Sequence, residues 1–109
     1  MPSNLPSSAP MKVSLAADCV TPGGTQRLVV DTLPEAFLAY DNLYADGRNG
    51  AAHGGVDGRA RSDRRGHFEA TWAVSPGAPA GDVRLDVGAS GGNKATVRML
   101  FYRVATTCP

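Results

Sequence analysis

Two runs of alternating apolar and polar residues in the C-terminal half of the chain constrain the fold most strongly. Their apolar positions are two residues apart: Phe68, Ala70, Trp72 and Val74 in the first run, and Val83, Leu85 and Val87 in the second. A period of two is the pattern of a strand with one buried face. The link at residues 75–81 contains two prolines and two glycines, which mark a surface connection. The sequence therefore predicts two strands, with Trp72 at the centre of the core.

The composition of the whole chain favours strands over helices. It contains 13 glycines and 8 prolines, and its apolar runs are short and separated by turn residues. Most of its acidic residues are aspartates, which are poorer helix formers than glutamate. Its 109 residues suffice for one hydrophobic core and not for two. We therefore predict an all-β chain, a single antiparallel β-sandwich domain of about seven strands at residues 11–109. A flexible leader rich in proline and serine precedes it at residues 1–10.

The N-terminal half contains three further apolar segments. Alternation predicts strands at residues 11–17 and 25–33. Their expected inward residues are Val13, Leu15, Leu28 and Val30. Segment 36–44 is also apolar, but one of its faces carries Asn42 and the other Asp41. A bulge near these two residues would reconcile the pattern with a strand, and a helix is the competing prediction.

The last predicted strand, residues 93–104, is apolar on both faces in its second half. We expect one face to enter the core, and it consists of Ala95, Val97, Met99 and Phe101. The opposite face begins with polar residues and ends with Leu100, Tyr102 and Val104. We predict that these three residues form a partner surface, because an apolar strip of this kind needs a cover. The N-terminal leader, folding back through Leu5 and its prolines, is an alternative cover.

The two cysteines give the best indication of compartment. Cys19 and Cys108 lie near opposite ends of the chain, and neither has a second cysteine or a histidine at metal-ligand spacing. We predict a disulfide between them, with two free thiols as the alternative. In the chain-entropy model, closing a loop of about 90 residues stabilises a domain by about 4–5 kcal/mol. A disulfide would indicate an oxidising compartment.

The segment at residues 45–65 is long, rich in glycine and predicted to be irregular. It carries five arginines that form a candidate anion-binding loop: Arg48, Arg59, Arg61, Arg64 and Arg65. Guanidinium groups bind carboxylate, phosphate or sulfate through paired hydrogen bonds. A solvated loop without a ligand is the alternative. We expect His53 and His67, in or beside this loop, to be exposed and to take no metal or acid–base role.

Motifs for catalysis or cofactor binding are absent from the sequence. It has no nucleophile elbow, phosphate loop, dinucleotide fingerprint or zinc-protease helix, so we expect neither an enzyme nor a cofactor or metal. The formal net charge of +1 predicts no general attraction to nucleic acid. No apolar run approaches the roughly 20 residues that cross a bilayer, so membrane insertion is not expected. A small-molecule ligand is not expected either.

Three turn-and-strand segments resemble the immunoglobulin-like sandwich modules of bacterial secreted and surface proteins. They are Tyr44-Ala45-Asp46-Gly47, the segment from Asp63 to Val74, and Ala78-Pro79-Ala80-Gly81-Asp82-Val83. The resemblance implies an immunoglobulin-like antiparallel sandwich over about residues 13–104. In such sandwiches the first strand, or its second half, runs parallel to and beside the last. That arrangement would bring Cys19 and Cys108 to the same end of the domain.

These observations give one leading hypothesis for function and two alternatives. The leading hypothesis is a non-catalytic structural or protein–protein interaction module, bound to a protein partner within a larger extracellular or cell-surface assembly. The alternatives are a module that binds an anionic or carbohydrate ligand through the arginine-rich loop with Tyr40 or Tyr44, and a viral particle protein. Residues 1–10 have neither the basic start nor the apolar segment of a secretion signal. Such a signal has therefore been removed, or export did not use that route.

Overall fold

The computed structural model describes residues 7–8, 10–49 and 58–109, and the regular structure in these ranges is entirely β-strand. The strands are β1 (Ser7–Ser8), β2 (Lys12–Leu15), β3 (Cys19–Val20), β4 (Thr25–Asp31), β5 (Phe37–Leu43), β6 (Gly58–Arg61), β7 (His67–Ala73), β8 (Gly81–Gly91) and β9 (Lys94–Val104). The described part of the chain contains no helix that could span a membrane. The prediction of an all-β single domain is confirmed. Strand β1 lies inside the predicted leader, so part of that segment belongs to the sheet.

The strands form two sheets that enclose one core. The larger sheet has the order β1-β9-β8-β5-β6, with β3 also paired to β9, and the smaller has the order β2-β4-β7. Strands β1 and β3 run parallel to β9, and the other neighbouring pairs are antiparallel. The core contains Leu28 and Val30 of β4, Trp72 of β7, and Val83 and Leu85 of β8. The predicted inward faces of these strands are therefore confirmed.

Strands β2 and β3 together form the first strand of the sandwich, which is divided between the two sheets. β2 pairs with β4 of the small sheet, and β3 pairs with β9 of the large one. The side chain of Gln26, fully buried on β4, supports the crossing point. Its Oε1 accepts a hydrogen bond from the Ala17 N–H at 3.1 Å, and its Nε2 donates to the Ala17 carbonyl at 2.7 Å. The Gln26 side-chain amide thus satisfies the backbone N–H and C=O of Ala17, where the chain leaves the β2–β4 ladder and no described strand pairs with that residue.

Strand β5 confirms the strand predicted for segment 36–44, and because it is regular, the predicted bulge and the competing helix are both wrong. Its residues pair one for one with β8, from Phe37 opposite Ser90 to Leu43 opposite Arg84. Asn42 faces the core and is 1% exposed. It lies there without a bulge because its Oδ1 accepts a hydrogen bond from the Tyr102 hydroxyl at 2.8 Å.

The predicted inward face of the last strand is wrong by one residue. In β9, Tyr102 and Val104 are 2% and 1% exposed, and Leu100 packs against the core. Their orientation is determined by β8, because directly opposite residues of an antiparallel pair share a face. Val83 and Leu85 are inward, and their partners are Tyr102 and Leu100. The predicted partner surface of Leu100, Tyr102 and Val104 therefore does not exist, because the opposite sheet covers these residues.

Two turns pack against each other at one end of the sandwich. In the β6–β7 turn, the Asp63 carboxylate accepts hydrogen bonds from the backbone N–H groups of Arg65 at 2.8 Å and His67 at 2.9 Å. The bond from His67, and then the bond from Arg65, lower the pKa of Asp63 below its ordinary value of 3.8. Gly66, with a φ of 83°, lies against the backbone of Thr32 in the β4–β5 turn. The two turns are thus joined through backbone contacts.

Candidate interaction face

The solvent-facing side of strands β9, β8, β5 and β6, here called the outer face, carries the large apolar side chains that are exposed in the described part of the chain. Four of its large apolar side chains are more than half exposed: Phe37 at 61%, Val97 at 68%, Met99 at 55% and Phe101 at 59%. Single exposed apolar residues are common on protein surfaces, whereas Val97, Met99 and Phe101 are adjacent on one face of β9, which makes this face the candidate interaction face. The residues predicted to enter the core from β9 are thus the ones that face solvent.

One half of the outer face is hollow. Strand pairing places Arg61, Phe37, Ser90 and Ala95 side by side in one row, and Arg59, Ala39, Gly88 and Val97 in the next. Apart from Phe37, the residues that β5 and β8 contribute to these rows are small: Ala39, Gly88 and Ser90. A groove of about 510 Å³ therefore lies between Phe37 and Val97. We call these two rows the hollow half. The Arg61 guanidinium lies 4.4 Å from the centre of the Phe37 ring, which fixes one wall through a cation–π contact.

The other half of the outer face carries larger side chains. Its two rows consist of Asp41, Asp86 and Met99, followed by Leu43, Arg84 and Phe101. We call these rows the raised half. Arg84 forms an ion pair with Asp86 at 3.2 Å. Asp41 lies directly opposite Asp86, an arrangement of like charges that destabilises a sheet. Within the described residues, no cation pairs with Asp41.

The structure distributes the five predicted anion-binding arginines over separate places. Arg59 and Arg61 lie on the outer face of β6, and Arg64 and Arg65 lie in the β6–β7 turn. Arg48 lies in the turn that follows β5, where its N–H donates to the Asp46 carboxylate at 3.0 Å. This turn follows the C-terminal end of β5, whereas Arg61 pairs with Phe37 at the N-terminal end. The five guanidinium groups therefore do not form one site.

The histidines lie away from the outer face or outside the described residues. His67 is on the exposed side of β7, where its Nδ1 lies 2.8 Å from Asp31 and its Nε2 lies 2.6 Å from Glu69. Glu69 also pairs with Arg27. His67 is thus a member of a charged surface network on the small sheet, which the sequence pattern did not indicate. His53 lies outside the described residues.

The two cysteines are joined in a disulfide, with their Cα atoms 5.7 Å apart. Cys19 is on β3, opposite Arg103 in the parallel ladder with β9, and Cys108 lies just beyond the end of β9. Parallel pairing of the first and last strands thus brings the cysteines to the same end of the domain. Across residues 10–49 and 58–109, no three His, Cys, Asp or Glu side chains are arranged to hold a metal ion.

Comparison with known proteins adds little to this geometry. No family model and no curated protein sequence matches the chain. Among solved structures, a β-glucosidase from Listeria innocua, determined in complex with glucose, is similar to 88% of this chain. The similarity covers 16% of that chain, with 10% sequence identity and a TM-score of 0.46. A similarity at this level supports no argument about fold or activity.

Proposed function

We propose that the chain is an immunoglobulin-like sandwich that serves as a non-catalytic interaction module in an extracellular or cell-surface assembly. The observation that carries the proposal is the outer face, where four large apolar side chains are more than half exposed on one sheet. An isolated domain gains nothing from leaving this area in water. A protein partner that covers it would bury apolar surface at about 25 cal/mol per Å².

The topology supports the immunoglobulin-like part of the proposal. A small sheet, β2-β4-β7, faces a larger sheet, and the first strand is shared between the two. Its second part, β3, runs parallel to the last strand, as the sequence resemblance implies. The disulfide supports an oxidising compartment, and with it a location outside the cytosol.

The alternative functions have less support from the geometry. The anion-binding hypothesis needs one cluster of arginines, whereas the structure separates them into three places. The carbohydrate hypothesis needs exposed tyrosines, but Tyr40 and Tyr44 are buried. No feature of the described residues favours a viral particle protein over the leading hypothesis.

Site-specific photo-crosslinking in extracts of the native source tests the proposed function. One variant carries the photoreactive residue at position 99, on the outer face, and a control variant carries it at Thr71, which is exposed on the small sheet. We expect protein adducts from position 99 and few from position 71. Equal adduct formation at both positions, or none at either, would contradict the proposal.

A further inference from the structure

We propose that the partner of the outer face is a second copy of this chain, bound face to face about a two-fold axis. The inference rests on the proposed function, because it names the occupant of the same face. The evidence is that the hollow half and the raised half complement each other in shape and in charge. An interface between identical chains must be self-complementary, and this face divides into two matching halves.

The required axis lies in the plane of the interface, perpendicular to the strands, between the two halves. Rotation about this axis keeps each strand above its own counterpart and reverses its direction. The two sheets then pack with their strands antiparallel, within the range of angles common for stacked sheets. The rotation places the raised half of each copy over the hollow half of the other.

The strand register shows how the side chains would match. The rotation places four of the six residues of the raised half above small residues of the hollow half on the same strand: Phe101 above Ala95, Arg84 above Ser90, Asp86 above Gly88, and Asp41 above Ala39. The remaining positions bring apolar residues together, with Met99 above Val97 and Leu43 above Phe37. The groove of about 510 Å³ is therefore the space that the partner's side chains would fill.

The charges of the two halves match in the same orientation. Asp41 of one copy would lie above Ala39 of the other, next to Arg59 on the adjacent strand. Asp41 and Arg59 form no ion pair within the described residues of a single chain. The dimer would supply both with partners and would relieve the repulsion between Asp41 and Asp86. The symmetry forms this contact twice.

The size of the face indicates a weak dimer. At strand spacings of about 4.8 Å and about 3.4 Å per residue, four strands and four rows span roughly 14 by 20 Å between Cα atoms. Side chains extend this to about 400 Å² per copy, about half of the standard 800 Å². A dissociation constant on the order of micromolar or weaker is therefore expected. The dimer must be sought at high protein concentration.

Sedimentation analysis of the purified, oxidised chain tests this proposal, at concentrations from about 1 to about 500 μM. We expect reversible dimerisation. Either charge reversal, Arg59→Asp or Asp41→Arg, should weaken the dimer by at least about ten-fold, because each creates two like-charge contacts. The double variant with both changes should recover wild-type affinity to within about three-fold, and an equimolar mixture of the two single variants should form mixed dimers. Arg64→Asp, the same charge change in an exposed turn, is the matched control and should have no effect.

A second variant tests the shape argument independently of charge. Ala95→Phe would fill the position that receives Phe101, and Ala95 is exposed, so the monomer should fold normally. It should dimerise at least about ten-fold more weakly than the wild type. If a charge reversal disturbs folding, Ala95→Phe still tests whether the two faces bind each other.

The outcomes separate this inference from the proposed function. A monomer at all concentrations, or a dimer that is indifferent to Arg59→Asp and Ala95→Phe, overturns the second copy as partner. If position 99 nevertheless forms adducts with another protein, the interaction face stands with a different occupant. If position 99 forms no adducts of either kind, both proposals fail.

Discussion

Among the described glycines, Gly66 leaves the least room for a side chain, and this gives the sharpest prediction about stability. Gly66 has a φ of 83°, and a Cβ atom placed there would lie 2.0 Å from the carbonyl oxygen of Thr32. Gly23 has nearly the same φ, 86°, but a Cβ atom placed on it would have no neighbour within 4 Å. Replacing each glycine by alanine therefore separates the effect of backbone conformation from the effect of the contact.

The expected cost at Gly23 is small. A left-handed conformation costs alanine about 1–2 kcal/mol. The same substitution reduces the conformational entropy of the unfolded chain, which stabilises the folded state by about 0.4–1 kcal/mol. Gly23→Ala should therefore destabilise the domain by about 1 kcal/mol.

The cost at Gly66 includes the contact as well. The β4–β5 turn must move away by about 1 Å or more to admit a Cβ atom. This movement breaks the hydrogen bond from the Thr32 N–H to the Gly66 carbonyl, now 2.8 Å. It also breaks the bond from the Glu35 N–H to the Asp63 carbonyl, now 3.0 Å. With about 1 kcal/mol for each lost bond, Gly66→Ala should cost about 3 kcal/mol, a large fraction of the 5–15 kcal/mol typical of a domain.

Urea unfolding followed by the fluorescence of Trp72, the only tryptophan and a buried one, measures both variants. We expect Gly66→Ala to be less stable than Gly23→Ala by about 2 kcal/mol, with similar dependence on urea concentration. Equal destabilisation would show that the two turns do not approach each other as described, and the account of this end of the sandwich would then be wrong.

Three further predictions concern the core, the disulfide and acid stability. Tyr102→Phe should cost about 1–2 kcal/mol in urea unfolding, because Asn42 loses a buried donor, whereas Val97→Ser on the outer face should change stability by less than about 0.5 kcal/mol. Replacing Cys19 and Cys108 together by alanine should lower the unfolding free energy by about 4–5 kcal/mol, and an effect below about 1 kcal/mol would contradict the chain-entropy estimate. The pKa of Asp63 is lowered in the folded state, so its carboxylate stabilises the fold above the unfolded pKa of about 4, and this stabilisation is lost as pH falls through the folded pKa. The Asp63→Asn variant lacks this carboxylate. Its urea midpoint should therefore fall less than that of the wild type between pH 7 and this acid range.

The sequence predicted the strands whose two faces differ clearly. In β4, β7 and β8 the apolar residues occupy alternate positions and the opposite positions are mostly polar, so only one register is compatible with a buried core. Trp72 was correctly placed in the core for this reason. The cysteine pairing could also be predicted, because the chain has only two cysteines and neither has a metal-ligand neighbour, and the resemblance to immunoglobulin-like sandwiches implies that both lie at the same end.

The sequence failed where a buried polar pair reversed the expected pattern. Asn42 suggested a bulge in β5, and Tyr102 was assigned to the surface of β9. Both residues are buried because the Tyr102 hydroxyl donates a hydrogen bond to Asn42 on the inner face of the large sheet, with β8 between their two strands. Each residue alone is costly to bury, and the two together are not. A contact between residues 60 positions apart is not visible in local alternation.

Arg98 contributed to the same error on the last strand. Its position shares a face with Leu100 and Tyr102, so a charge at that point made the face look solvent-exposed. In the structure Arg98 is exposed, although Thr96 is buried and Leu100 is partly buried on the same face. Within the described residues, no strand pairs with the outer edge of β9 between the segments that pair with β1 and β3. A long side chain near a sheet edge can extend to water from an inward position. Hydrophobic alternation therefore assigns faces less securely at a sheet edge than at its centre.

The excess of apolar residues on β9 is informative even though its faces were exchanged. A strand with one face in the core needs only that face to be apolar, and the other is ordinarily polar. In β9 the inward Leu100, Tyr102 and Val104 meet the needs of the core, so Val97, Met99 and Phe101 are not explained by folding. Exchanging the faces changes which side chains are buried but leaves the same number exposed. An exposed apolar strip on this strand is therefore expected from the sequence alone. Which side chains form it, and the groove beside them, required the register between β8, β9 and β5.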